Sequence, residues 1–277
     1  KYWVPEGSGF AKGLDVLQNI DITHDRRGNA TAMGIPSQTH TSASGAYIAV
    51  PGIGLELVDL GLNIPEMIDS TDRYTAPFDS GGNPLWSWFE EIELYQGAIY
   101  YNDTKVVRGK PVAIAGDNLD PTSVKRIEIL EPSLSGMSVS LGKLDLNHTP
   151  YRMATVTDFI GYDNTGKPEL HDYAFVSSYK GDISVVDLPN QSPWDPTLAD
   201  YFKATGAFTR HIEIDKDHKV AYAGAEWTES TVQMQGILVI DLSSIGMVAN
   251  RDKDNDGWDD RIIGKIPVPG IKSFRLD

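Results

Sequence analysis

The chain has 277 residues, a length that suits one large all-β domain or two smaller ones, and 40% of them are hydrophobic, enough for a real core and to exclude wholesale disorder. Asp and Glu outnumber Lys and Arg by 39 to 24, and the net charge of −15 argues against nucleic acid and anionic lipid as partners. Cysteine is absent, which removes disulfides, thiolate metal sites and a cysteine nucleophile together.

From the start of the chain, Gly7-Ser-Gly9-Phe-Ala-Lys-Gly13 has glycines but no preceding strand, and its spacing fits neither a dinucleotide loop nor a P-loop. The first readable structure is Ala46–Val50, a turn through Pro51–Gly54, then Leu55–Leu60, which predicts strand, turn, strand over 46–60. Phe78-Asp-Ser-Gly-Gly-Asn-Pro84 superficially resembles the surroundings of a serine-protease nucleophile. No His and Asp frame accompanies it, so a flexible turn is expected. Ser87–Tyr95 is the better of two candidates for a short helix, and Pro196–Lys203 is the other.

The hairpin sentence returns three times. A weaker copy spans 111–132, as Pro111–Gly116 and Ile127–Pro132. A clear one spans 173–188, as Tyr173–Ser178, a turn at Lys180-Gly181-Asp182, and Ile183–Leu188. The last spans 220–242, as Val220–Gly224, a longer insertion, and Gly236–Leu242. Each copy ends on an acid after an apolar strand: Asp59, Glu131, Asp187 and Asp241.

A further strand precedes two of the hairpins, Ala154–Ile160 and Thr209–Asp215, the latter in clean period-two alternation and followed by a turn over 215–218. Ile271–Asp277 repeats that first-strand pattern, as expected of a chain cut from something longer. Lys stands first, nothing resembles a signal peptide, and a processed or cloned fragment is the simplest account. No apolar run approaches the ~20 residues of a membrane helix, so no membrane insertion is expected.

Self-similarity of this kind means that each unit buries its faces against its neighbours. The strand 236–242 after 220–224 resembles the LVIVD and YVTN-type β-propeller repeats of bacterial and archaeal surface proteins, and the copies at 46–60 and 173–188 match it well. The resemblance implies one propeller-like domain over 1–277, built of radially arranged four-stranded sheets. About four units are fewer than such propellers usually have, so closure would need more chain or another copy. Locally, 108–119 also resembles the opening of an immunoglobulin-like module of the TIG kind.

The most specific motif is Asp252-Lys-Asp254-Asn-Asp256-Gly257-Trp258-Asp259-Asp260. Calcium takes six to eight hard oxygen ligands, and carboxylates on alternate residues of a tight loop converge on one ion. Asp252, Asp254 and Asp256 hold positions one, three and five, Gly257 permits the sharp turn, and Trp258 offers a main-chain carbonyl at the seventh. The run resembles thrombospondin type 3 and dockerin-like calcium loops, in which Asp259 or Asp260 would complete the shell. Ile263 at the twelfth position, where an EF-hand has Glu, argues against a helix–loop–helix sensor.

Asn29, Asn102, Asn147 and Asn190 each open a glycosylation acceptor triplet, which favours an extracellular or cell-surface protein. Histidines 24, 40, 148, 171, 211 and 218 are scattered, and structural roles are expected for His211 and His218. Trp86, Trp88, Trp194 and Trp227 are candidates for an aromatic recognition surface, the last two in inter-strand insertions. The function expected is a non-enzymatic, calcium-binding repeat module that recognises a protein or glycan or self-associates. The alternative is a calcium-dependent β-propeller hydrolase, with His24-Asp25, His171-Asp172 and the repeat-end acids as its candidate groups.

Overall fold

A computed structural model describes the backbone of every strand from Gly13 onward. It describes residues 125–129 and 141–276 in full, except 164, 179, 190–194, 248–250 and 272–273. The chain is all-β, with no helix among the described residues. Its strands in order are β1 (Gly13–Ile20), β2 (Ala43–Val50), β3 (Gly54–Asp59), β4 (Glu66–Asp69), β5 (Phe89–Tyr95), β6 (Ala98–Tyr101), β7 (Thr104–Arg108), β8 (Val112–Leu119) and β9 (Val124–Glu131). There follow β10 (Val139–Asp145), β11 (Pro150–Tyr162), β12 (Pro168–Ser178), β13 (Ile183–Asp187), β14 (Thr197–Phe202), β15 (Phe208–Asp215), β16 (Val220–Glu229), β17 (Val232–Asp241) and β18 (Ile262–Pro267).

These strands form four antiparallel four-stranded sheets, β1-β2-β3-β4, β5-β8-β9-β10, β11-β12-β13-β14 and β15-β16-β17-β18, and β6 pairs with β7 alone. Three sheets are uninterrupted meanders. The second is a meander with the β6–β7 hairpin inserted after its first strand. All four hairpins read from the sequence are the two middle strands of a sheet, and each repeat-end acid closes a third strand: Asp59 in β3, Glu131 in β9, Asp187 in β13 and Asp241 in β17.

Contacts divide the chain into two compact units, Lys1–Gln96 with Arg108–Asp145, and Gly97–Val107 with Leu146–Asp277. In the first unit the leading strands β1 and β5 lie together, and β9 buries an Arg126–Glu128 ion pair beside Ile127 and Ile129. In the second unit β11 and β12 lie against β15.

The core of the second unit comes from strand alternation. On β16 the inward positions are Ala221, Ala223, Ala225 and Trp227, all at most 1% exposed. These three alanines and Trp227 belong to one buried cluster with residues of the third sheet. Phe159, Tyr173, Phe175, Val185, Phe202, Leu238 and Ile240 are among the other members of the cluster.

The turns follow their residue chemistry. Gly181 takes a φ of +84° between β12 and β13, and a Cβ there would sit 2.4 Å from the Ala204 carbonyl oxygen, so only glycine fits. Between β15 and β16, Asp215 accepts from the His218 backbone N–H at 3.0 Å and contacts its Nδ1 at 2.8 Å.

Several expectations are corrected. Ser87–Tyr95 is not a helix but contains β5, and Pro196–Lys203 contains β14. The β5 ladder carries a register shift between Phe89 and Glu91, which interrupts the strand period there. In β14 a shift opposite Val185 and Val186 leaves Ala199 as the extra residue, while Asp200 and Phe202 turn inward. No insertion separates Gly224 from Gly236: β16 and β17 pair continuously out to Glu229 and Val232 around a turn at Ser230 and Thr231. Trp227 therefore lies within a strand, buried, and offers no recognition surface. Among its described residues Ile271–Asp277 forms no ladder; Phe274 instead meets the His211 ring edge-on at 5.0 Å and accepts from its Nε2 at 2.8 Å.

Replacing Trp227 by Ala is expected to cost about 3–5 kcal/mol, and Ala223 by Leu about 1–3 kcal/mol through overpacking. Urea unfolding followed by near-UV circular dichroism checks both. Near wild-type midpoints for both variants would contradict this core.

Candidate functional site

The acidic run lies in the connection from β17 to β18. Its carboxylates bind the loop's own amides: Asp252 Oδ2 accepts from Gly257 N–H at 3.2 Å, Asp254 Oδ1 from Asp256 N–H at 3.3 Å, and Asp256 Oδ1 from Trp258 N–H at 2.7 Å. Gly257 is left-handed, with φ +88°, and a Cβ there would approach Thr205 Oγ1 to 3.0 Å. The loop gathers one oxygen each from Asp252, Asp254 and Asp256 to within 4.8 Å of one another. Three like charges at that separation repel by about 1–4 kcal/mol per pair unless a cation sits among them. Asp252 Oδ1 is moreover buried with no hydrogen-bond partner among the described residues, a costly state for a carboxylate oxygen.

The other predicted ligands are placed differently. Trp258 bridges to Ala204 through its main chain, and Lys265 Nζ stands 3.6 Å over its ring. Asp259 is 3% exposed and gives both oxygens to Arg261, at 2.8 Å from Nε and 2.7 Å from Nη2, so it does not join the cluster. Asp260 turns both oxygens toward the Lys253 N–H at 3.4 Å.

The loop is bolted to the connector between β14 and β15. Thr205 donates to the Gly257 carbonyl from N–H at 3.2 Å and from Oγ1 at 2.6 Å, and Asp259 N–H donates to the Lys203 carbonyl at 2.8 Å. Both ends of the run converge on one carboxylate, Asp200 of β14, whose side chain is fully buried. Arg251 pairs with its Oδ1, Arg261 Nη1 with its Oδ2 at 2.9 Å, and Gly246 N–H donates to Oδ2 at 3.1 Å. Burial opposes the Arg261 charge, but hydrogen bonds to Asp259 and Asp200 raise its pKa on balance, and its guanidinium lies 4.0 Å over the Phe202 ring. Sequence reasoning missed Asp200; the available signal was the pair of arginines bracketing an otherwise acidic run.

A second group gathers beside the bulge in β11. Asp158, with φ +56°, lines a pocket of about 150 Å³ together with Leu170, His171, Asp172, Asp187, Leu188 and Pro189. Asp158 N–H donates to Asp172 Oδ1 at 2.7 Å, and His171 Nδ1 meets Asp187 Oδ2 at 2.9 Å. The sequence offered His171, Asp172 and the repeat-end acid Asp187 as candidates, and the fold brings them together. His171 stacks on Tyr173 at 5.3 Å, while its Nε2 is buried without a partner among the described residues. The hydrogen bond to Asp187 raises the His171 pKa against the opposing effect of burial. Burial, then the charges of Asp187 and Asp200, push the Tyr173 phenol up.

Of the remaining candidates, Asn147 is exposed in the loop after β10, whereas Asn29, Asn102 and Asn190 lie outside the described residues, as do His24, Asp25, His40, Trp86, Trp88 and Trp194. His211 is held by Glu213 and the Phe274 carbonyl, and His148 by Ser184 at 2.7 Å.

No family model matches the sequence, and no curated protein matches it. Among solved structures, the chain is similar to one described as the crystal structure of the Chaetomium thermophilum Nup170 NTD-Nup53 complex. The identity is 12% and the TM-score 0.38, over 72% of this chain and 25% of that one. The chain thus spans about a quarter of the length of its structural neighbour, and a likeness of that order carries no argument about fold or function.

The His171–Asp187 pair makes stability pH-dependent in a defined direction. The folded pKa of His171 lies above its ordinary 6.5, so the stabilisation is complete below about pH 6.5 and is lost as pH rises through the folded value. The melting-temperature gap between the wild type and His171→Gln is expected to be widest near pH 5.5 and to shrink on the alkaline side. A gap that does not vary with pH would contradict the pairing.

Proposed function

We propose that this chain is a calcium-stabilised β-propeller-type module that acts by recognition at the outside of a cell and carries no catalytic role. The observation that carries the metal assignment is the convergence of one oxygen each from Asp252, Asp254 and Asp256, on a loop where Asp252 Oδ1 is buried with no hydrogen-bond partner among the described residues. Calcium fits this donor set better than a softer metal, because every side-chain donor is a carboxylate oxygen and no His or Cys takes part. The Trp258 carbonyl and water would supply the remaining ligands.

The propeller reading is supported by four successive antiparallel four-stranded sheets whose leading strands lie together within each unit, β1 with β5 and β11 with β15. Recognition of a protein or glycan, or self-association through the edge strands, suits a chain of net charge −15 that favours cations and basic partners. The exposed Asn147 supports the extracellular setting.

Calcium titration by calorimetry, with thermal melts in calcium and in chelator, tests the reading. One site is expected, and at a hundredfold excess over Kd the native state gains about 2.7 kcal/mol. Asp254→Ala should abolish both binding and the gain. No heat of binding and coincident melts would remove calcium from the account.

A second reading, a calcium-dependent propeller hydrolase, is favoured by the His171–Asp187 pair in its acidic pocket. Ester or lactone turnover that falls at least a hundredfold in His171→Ala would establish it. Turnover indistinguishable from that variant would dismiss it.

A further inference from the structure

Arg251 and Arg261 bracket the cation loop, one residue before Asp252 and one after Asp260, and both side chains end on the same buried carboxylate of another sheet. We infer that Asp200 is the positioning residue of the cation site. By holding the two arginines it fixes the loop that carries Asp252, Asp254 and Asp256, and it ties cation binding to the seam between the third and fourth sheets. The inference rests on the calcium reading above.

The geometry is consistent along its length. Arg251 pairs with Asp200 Oδ1, and its Nη2 donates to the Met247 carbonyl at 2.7 Å, which anchors the entry to the loop. Asp260 N–H donates to the Arg251 carbonyl and closes the loop at its base. Arg261 grips Asp200 with Nη1 at 2.9 Å and Nη2 at 3.2 Å, and its Nη2 also donates to the Tyr201 carbonyl at 3.2 Å. The same guanidinium draws Asp259 away from the ligand oxygens, so it helps decide which carboxylates face the ion. At mid-loop, Thr205 fixes the Gly257 carbonyl from the connector between β14 and β15.

A loop clamped at both ends and at its middle loses little freedom on taking up a cation, which is how supporting groups around a metal site raise affinity. The coupling runs both ways. If the clamp favours the cation, the cation must strengthen the clamp by the same factor. Bound calcium should therefore protect the Thr205 and Asp259 amides, whose hydrogen bonds cross the seam, from hydrogen exchange.

The test measures calcium affinity by calorimetry and amide exchange by NMR in the full chain, comparing the wild type with Asp200→Asn and Arg251→Met. Outer-shell losses at metal sites typically cost 10–100-fold in affinity, so Asp200→Asn should weaken calcium by about that factor and Arg251→Met by about tenfold. Calcium should slow exchange at Thr205 and Asp259 in the wild type, and less so in Arg251→Met. A purely structural role for Asp200 would lower the melting temperature in chelator and leave affinity unchanged, and that result overturns the inference. Should Asp200→Asn fail to fold, Arg251→Met decides alone, because Arg251 is a quarter exposed and its removal leaves Arg261 on Asp200. A wild type that binds no calcium overturns the calcium reading itself. A wild type that binds it, with variants of equal affinity, overturns the positioning role and leaves that reading standing.

Discussion

A carboxylate with no exposed surface is tolerable only where its charge is matched, and in the second unit that constraint organises much of what surrounds Asp200. Desolvating a carboxylate costs several kcal/mol, and removing one partner of a buried pair typically costs about 3–5 kcal/mol. Two arginines and the backbone N–H groups of Tyr201 and Gly246 meet the requirement here. Both arginines come from the long connection between β17 and β18, so the irregular part of the fourth sheet is held by the third. Removal of the carboxylate would leave two half-buried guanidinium groups and a loop of acids without that anchor.

The apolar core makes that arrangement possible. The alanine row on β16 shares one buried cluster with Phe175, Val185 and Phe202 of the third sheet. Arg261 belongs to both systems, since its guanidinium covers the Phe202 ring while it binds Asp200 and Asp259. A change in the core at Phe202 would therefore reach the acidic loop through one side chain.

The sequence reveals some of this and conceals the rest for physical reasons. The middle strands of each sheet are legible because two apolar runs flank a tight turn, and the closing acid at Asp59, Glu131, Asp187 and Asp241 marks each copy. The fourth strands are short edge strands with one neighbour, and β18 is mostly exposed, so they carry little pattern. The bulges in β5 and β14 break the period of two and read as helix. The outer halves of β16 and β17 are polar, with Thr228, Glu229, Gln233 and Gln235, and so read as an insertion around Trp227. In the acidic loop, alternate spacing before a glycine singled out Asp252, Asp254 and Asp256, one oxygen of each of which the fold gathers within 4.8 Å. Asp259 reads alike in sequence, whereas its pairing with Arg261 is set by the fold, and Asp200 lies fifty-two residues before Asp252 in a segment that reads as a short helix.

The loop from Asp252 to Asp260 is proposed as a cation site on a clamped frame. Crystals grown in calcium, or soaked with a lanthanide for its anomalous signal, test it most directly. The account predicts one peak at about 2.3–2.6 Å from oxygens of Asp252, Asp254 and Asp256, with Asp259 still on Arg261 and both arginines on Asp200. A map with no peak there, or one in which Asp259 has left Arg261 to join the ion and the loop has come away from Thr205, would contradict it.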